Sequence, residues 1–270
     1  MTTTYFKLQV KSSGQYLNIS GGGNVNGTTA CQGNTPTTNN FLWKLIDAPG
    51  QPGWYLIQVD SSGQYLNILN GGNVNGTVAC QGNTPTTDNF LWKLTNAPKN
   101  PGLCFLQVKS SGQYLNILNG GDANGTLACQ GNTPTTDNFL WKILFEEATP
   151  VTHTITVSAT VAVQYPPSLS DDEGHTTNTE LGDEAMTTLV GPGDAVTWQK
   201  GGDISSLDNI FEPVGTDLFI VDPSKEDNQT WVGIIGSLPS GSEEAYSITY
   251  KVGGNSYTQD PKIQIRATQK

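Results

Sequence analysis

The chain has 270 residues, with 13 Lys and Arg against 24 Asp and Glu, a net charge of −11. That length suits one or two domains. Neither half is basic, which excludes the electrostatic footprint of a nucleic-acid or anionic-membrane binder, and no run of about 18 apolar residues could form a transmembrane helix. The acidity is uneven: residues 1–150 carry 7 acidic and 7 basic side chains, whereas residues 151–270 carry 17 and 6.

Three copies of one unit fill the first half. Gln15–Ile19, Gln64–Ile68 and Gln113–Ile117 all read QYLNI, and Phe41–Lys44, Phe90–Lys93 and Phe139–Lys142 all read FLWK, at a constant offset of 49 residues. Three copies that then stop predict a closed ring rather than an open array. Each copy reads as four short strands. In the first, Leu8–Val10 alternates and halts at the turn signal Ser12-Ser13-Gly14, and Gln15–Ile19 alternates again. Gly21–Gly23 and Asn26-Gly27 mark a loop and a tight turn. Thr28–Gln32 is a weak third strand, Gly33–Asn40 a polar loop, and Phe41–Leu45 a closing strand. No stretch has a helical period. A unit this small buries too little apolar surface to stand alone. Ring closure would bring Trp43, Trp92, Trp141, Leu17, Leu66 and Leu115 into one core, at about 1.5–3 kcal/mol for each large side chain.

The cysteines fit this reading. Cys31, Cys80 and Cys129 are one position seen three times and Cys104 stands alone, which predicts buried free thiols rather than a disulfide framework. The opening Met1–Lys7 lacks the basic-then-apolar pattern of a secretory signal. A cytoplasmic protein, or one released without a classical signal peptide, is the expectation. The sequons at Asn26, Asn75 and Asn124 then read as turn chemistry.

The ordered elements SSGQYLNI, a glycine-rich loop, NGT and a closing aromatic-x-Trp resemble those of the β-trefoil lectins, and within them the ricin-B-type group, over about residues 5–145. This chain has Phe41, Phe90 and Phe139 where that group's closing signature has Gln. The resemblance implies a β-trefoil with carbohydrate-binding pockets. It places Asn18, Asn67 and Asn116 where the group carries a sugar-gripping acid, and Asn40, Asn89 and Asn138 at the assisting Asn of the signature. A stacking aromatic is usual in the third-strand region, where this chain has Cys31-Gln32-Gly33. Tyr16, Tyr65 and Tyr114 are the nearest alternatives, and Gln32, Gln81 and Gln130 are secondary ligands. Asp88 and Asp137 match Asn39 of the first copy. They are either site carboxylates of copies two and three or loop-capping residues.

The remainder, residues 148–270 after a trefoil of 1–147, reads as a second all-β domain. In Thr152–Val163, apolar Ile155, Val157, Ala159, Val161 and Val163 alternate with polar residues. Ala195–Gln199, Leu218–Val221, Thr230–Ile235, Tyr246–Val252 and Lys262–Ala267 follow as strands. Turns of Pro, Gly and Asp between them predict an antiparallel β-sandwich, and GPGDAVTWQ with SITYKVGG and DPKIQI resembles cupredoxin-like or immunoglobulin-like sandwiches. Blue copper needs two His and a Cys, and this half has no Cys; the acidic clusters lack calcium-loop spacing. No metal or cofactor is expected. The expected function is a non-catalytic lectin for galactose- or N-acetylgalactosamine-type glycans, with up to three equivalent sites and a second domain that pairs two copies. The alternative is a lectin-targeted pore-forming toxin, with Thr152–Val163 as an inserting strand. An enzyme carrying a sugar-binding module, or a trefoil inhibitor of proteases, has less support: the two His fit no nucleophilic set, and an inhibitor needs one loop, not three alike.

Overall fold

A computed structural model describes residues 5–145, 149–177, 186–212, 218–227 and 229–266. The chain divides into two compact units, one of Met1–Ala97 and Leu103–Glu147 and the other of Pro98–Gly102 and Ala148–Lys270.

Twelve strands make the first unit. The first repeat supplies β1 (Phe6–Val10), β2 (Tyr16–Ile19), β3 (Ala30–Gly33) and β4 (Trp43–Asp47). The second supplies β5 (Tyr55–Val59), β6 (Tyr65–Ile68), β7 (Ala79–Gly82) and β8 (Trp92–Asn96), and the third β9 (Cys104–Val108), β10 (Tyr114–Ile117), β11 (Ala128–Gly131) and β12 (Trp141–Phe145). Antiparallel pairings run β1–β4–β5–β8–β9–β12 and back to β1, so the outer strands of the repeats close a barrel. Closure removes the free edges that an open sheet would expose. The inner strands form hairpins β2–β3, β6–β7 and β10–β11. Bridges Thr29–Cys80, Val78–Cys129 and Cys31–Leu127 join the three hairpins to one another. This is a β-trefoil.

The core follows from the alternation. Leu8, Val10, Leu17, Trp43 and their counterparts in the other repeats are buried. Each Trp ring also places its Nε1–H on a carbonyl inside the core: Trp43 on Leu17, Trp92 on Leu66 and Trp141 on Leu115, at 2.9–3.0 Å, as a buried indole requires. The four cysteines are free and buried. The closing strand starts at Trp43, two residues later than expected, because Asn39–Phe41 forms a 3-10 turn. That turn aims Asn40 and Phe41 back at the hairpin.

The second unit contains β13 (Thr152–Ala159), β14 (Ser168–Asp171), β15 (Thr187–Val190), β16 (Ala195–Gly202), β17 (Ile204–Phe211) and β18 (Phe219–Lys225). They are followed by β19 (Thr230–Ile235), β20 (Glu243–Ala245), β21 (Ser247–Val252), β22 (Asn255–Gln259) and β23 (Lys262–Ile265). Three sheets, ordered β14-β13-β16-β19-β18, β15-β23-β20 and β17-β21-β22, contribute to one core that includes Ile155, Val190, Trp198, Ile210, Tyr250 and Ile263. The expectation of a purely antiparallel arrangement is corrected, since β13 with β16 and β15 with β23 pair in parallel. A parallel pair needs a long crossover, and the segment between β13 and β16 provides one by visiting two different sheets. The alternation of Thr152–Val163 ends at Ala159. Ile155 and Val157 are buried, whereas Val161 and Val163 lie exposed beyond the strand. The strand sits between two neighbours with its apolar face in the unit's own core. Ala267 and residues 146–148, which span the expected boundary between the two domains, lie outside the described residues.

Candidate carbohydrate site

Each pocket forms where a hairpin meets a 3-10 turn. Asn18 on β2 faces Cys31 on β3 across the hairpin. Its Nδ2 donates to the carbonyls of Tyr16 (3.3 Å) and Cys31 (3.1 Å), and its Oδ1 accepts from Cys31 Sγ (3.5 Å) and Asn40 Nδ2 (3.4 Å). Asn40 Nδ2 also donates to the Ile19 carbonyl (3.0 Å), and Thr38 Oγ1 donates to Asn40 Oδ1 (2.5 Å). An amide has two donors and two acceptor lone pairs. Asn18 has used all four and serves to orient Asn40. Asn40 keeps one acceptor lone pair, beside the lone pairs of the Thr38 hydroxyl. The same bonds recur for Asn67 with Asn89 and for Asn116 with Asn138.

The first of these networks lines a cavity of ≈ 600 Å³ whose walls include Gly33, Thr38, Asn40, Phe41 and Asn124. That volume falls in the usual range of about 300–1,000 Å³ for small-molecule sites. Gly33 explains the invariant end of the third strand. A Cβ there would lie 2.7 Å from Asn18 Nδ2 and 2.8 Å from the Phe41 ring, and Gly82 and Gly131 are as crowded. Phe41 therefore presses against the backbone of β3 and gives the pocket an apolar wall. Phe41, Phe90 and Phe139 were legible only as departures from the ricin-type signature. The aromatic that reaches the pocket comes from the closing turn, not from the third strand. Tyr16, the expected alternative, is not among the residues lining the cavity.

Gln32, Gln81 and Gln130 are fully buried. Gln32 accepts from Ser13 Oγ (2.7 Å) through Oε1 and donates through Nε2 to the carbonyls of Gly121 and Ala123 in the third repeat. Gln81 is held likewise by Ser62, Gly23 and Val25, and Gln130 by Ser111, Gly72 and Val74. These amides brace one repeat against another, and Gln32 also lines the first cavity.

The position of Asn39, Asp88 and Asp137 differs between repeats, and so does its partner. Asn39 Nδ2 donates to Asp60 (2.6 Å), whereas Asp88 pairs with Lys109 (3.1 Å) and Asp137 with Lys11 (3.2 Å). Each of the three begins its 3-10 turn. The thiols at the pockets stay protonated at neutral pH. Burial raises Cys31 and pushes Cys80 and Cys129 up to about 11. Among the described residues, no group of three or more His, Cys, Asp or Glu could hold a metal ion.

The family model of the ricin-type β-trefoil lectin domain-like proteins matches residues 1–82 and 45–130. That match falls on the repeats and agrees with the β-trefoil fold of the first unit. Similar solved structures include the designed threefold-symmetric protein ThreeFoil, 25% identical over 52% of this chain and 97% of that one with a TM-score of 0.49. An exo-β-1,3-galactanase from Clostridium thermocellum is 23% identical over 53% of this chain and 30% of its own, with a TM-score of 0.50. The Rhizoctonia solani agglutinin is 20% identical over 54% of this chain and 97% of its own, with a TM-score of 0.48. The galactanase likeness bears on the fold. No curated protein matches the chain.

Proposed function

We propose that this protein is a non-catalytic lectin with up to three glycan pockets, selective for galactose- or N-acetylgalactosamine-type termini. The observation that carries this reading is the threefold recurrence of one pocket floor, in which a saturated Asn orients a second Asn with an acceptor to spare. A sugar hydroxyl would donate to Asn40 Oδ1, Asn89 Oδ1 or Asn138 Oδ1. The adjoining Thr hydroxyl would offer a second polar contact, and the Phe ring an apolar surface for the C–H face of the pyranose. Neutral hydrogen bonds of this kind are weaker than charge-assisted ones, so one pocket would bind weakly and useful affinity would come from several acting together. The second unit is read as an accessory that pairs two copies and extends this avidity.

A glycan array probed with the full chain tests the reading. Binding to galactose-terminated glycans, rising steeply with glycan density, is the expected result. An array without signal at any density would remove it. Light scattering checks the pairing of two copies, which a mass of one chain would rule out.

A further inference from the structure

The pockets are not confined to single repeats. Pocket one, on Asn18 and Asn40, is edged by Asn124 and Gly125 of the third repeat. The backbone makes the joint: Gln32 N donates to Thr126 O (2.9 Å), Gly125 N to Gln32 O (2.8 Å) and Asn34 N to Asn124 Oδ1 (3.3 Å). The joint recurs cyclically. Asn26 of the first repeat takes the Asn83 amide at pocket two, and Asn75 of the second takes the Asn132 amide at pocket three. Each pocket thus borrows a wall from the repeat before it in the ring.

Both walls vary in charge. Pocket one has Asp60, bound by Asn39 and adjacent in the chain to the lining residue Ser61, and its borrowed loop starts with Asp122. At pocket two the ion pair Asp88–Lys109 stands in place of Asn39 and Asp60, and the borrowed loop starts with Asn24. At pocket three the pair is Asp137–Lys11 and the loop residue Asn73. The rim of pocket one therefore carries two negative charges, while at each of the other rims a carboxylate and an ammonium cancel. Lys44, Lys93 and Lys142 occupy one position in every repeat and leave this difference unchanged.

We propose that the borrowed loop and the Asn–Asp or Asp–Lys pair set a charge filter: pocket one selects neutral saccharides, and pockets two and three also accept saccharides bearing a carboxylate or sulfate. The inference rests on the glycan-binding reading above. Charges at a solvated rim act weakly and are screened within about 8–10 Å at ordinary salt, so discrimination on the order of three- to tenfold is expected at low salt, shrinking as salt rises.

The test uses the full chain, labelled for amide resonances, titrated with lactose and with lactose 3′-sulfate. Gly33, Gly82 and Gly131 report one pocket each. Lactose should shift all three with similar midpoints, whereas the sulfate should shift Gly82 and Gly131 at similar concentrations and Gly33 only at three- to tenfold higher ones. The double variant Asp60→Asn, Asp122→Asn removes both negative charges and should bring Gly33 into line with the other two, and its spectrum reports whether the fold is kept. Equal midpoints for the sulfate at all three glycines, or a Gly33 midpoint unmoved by the double variant, would overturn the charge filter while leaving the lectin reading intact. No shift with lactose at any of them would remove the galactose reading and the filter together.

Discussion

In the first unit the buried polar side chains are mostly amides, Asn18, Gln32 and Asn40 with their counterparts, whereas the second unit buries His153 and Asp194. The amide networks occur three times and each ends at a pocket. The ionisable network occurs once and ties strands together. His153 Nε2 lies 3.2 Å from Asp194 Oδ2 and 3.0 Å from Arg266 Nη2, and its Nδ1 lies 3.4 Å from Asp172 Oδ1. Asp194 also accepts from the amides of Val151 (2.8 Å) and Gly191 (2.6 Å), and Arg266 reaches Glu173 and the Leu189 carbonyl. Nε2 cannot accept from Arg266 and donate to Asp194 at once, so the cluster has a different set of bonds in each protonation state. The lesson is that an amide framework holds one geometry across pH, which suits a pre-formed pocket, while an ionisable framework couples packing to pH.

The largest effect expected is in the shared core. Trp141→Ala should cost about 3–5 kcal/mol, measured by denaturant titration, because it removes a fully buried ring and leaves the Leu115 carbonyl without its donor. Gly82→Ala should cost about 1–3 kcal/mol by overpacking and should abolish pocket two alone, since the new Cβ falls 2.7 Å from the Phe90 ring and 2.8 Å from Asn67 Nδ2. Ser62→Ala leaves Gln81 Oε1 buried without its 2.7 Å donor, and about 1–3 kcal/mol should be lost.

The pH dependence should separate the two frameworks. Burial favours neutral His153, but the hydrogen bond to Asp194 and the charges of Asp194 and Asp172 outweigh it, with Arg266 opposing, and the imidazole is held above its ordinary value. A raised value means protonation stabilises the fold. That contribution is complete below about pH 6.5, the unfolded value, and is lost as pH rises through the higher folded one. Wild-type chain should therefore lose stability across that window, and His153→Gln should flatten the profile while leaving pocket affinity unchanged. A slope that persists in the variant would refute the assignment. The smallest effect belongs to Lys109→Met, about 0.2–1 kcal/mol or less, because Asp88 in that pair is more than half exposed.

The first unit was far more legible than the second. A repeat at constant offset announced the ring, and the resemblance to the ricin-type lectins singled out Asn18 and Asn40. What repetition concealed was the exchange between copies. Identical loops look like three private sites, yet Asn34 is bonded by Asn124, a contact across the ring that no linear pattern displays. Lys11, Asp60 and Lys109 share one repeat position in the sequence, but their pairing with Asp137, Asn39 and Asp88 needed coordinates. In the second unit, β17 escaped because bulges between Ile204 and Ser206 and between Leu207 and Asn209 break the two-residue period. β22, Asn-Ser-Tyr-Thr-Gln, escaped because it is largely polar and solvent-facing.

Isothermal titration of the full chain and of Gly82→Ala with lactose tests most directly that the amide-built pockets are the binding sites. The account predicts a stoichiometry near three for the wild type, falling to near two in the variant with the residual affinity unchanged. A single site per chain, or a stoichiometry indifferent to Gly82→Ala, would contradict it.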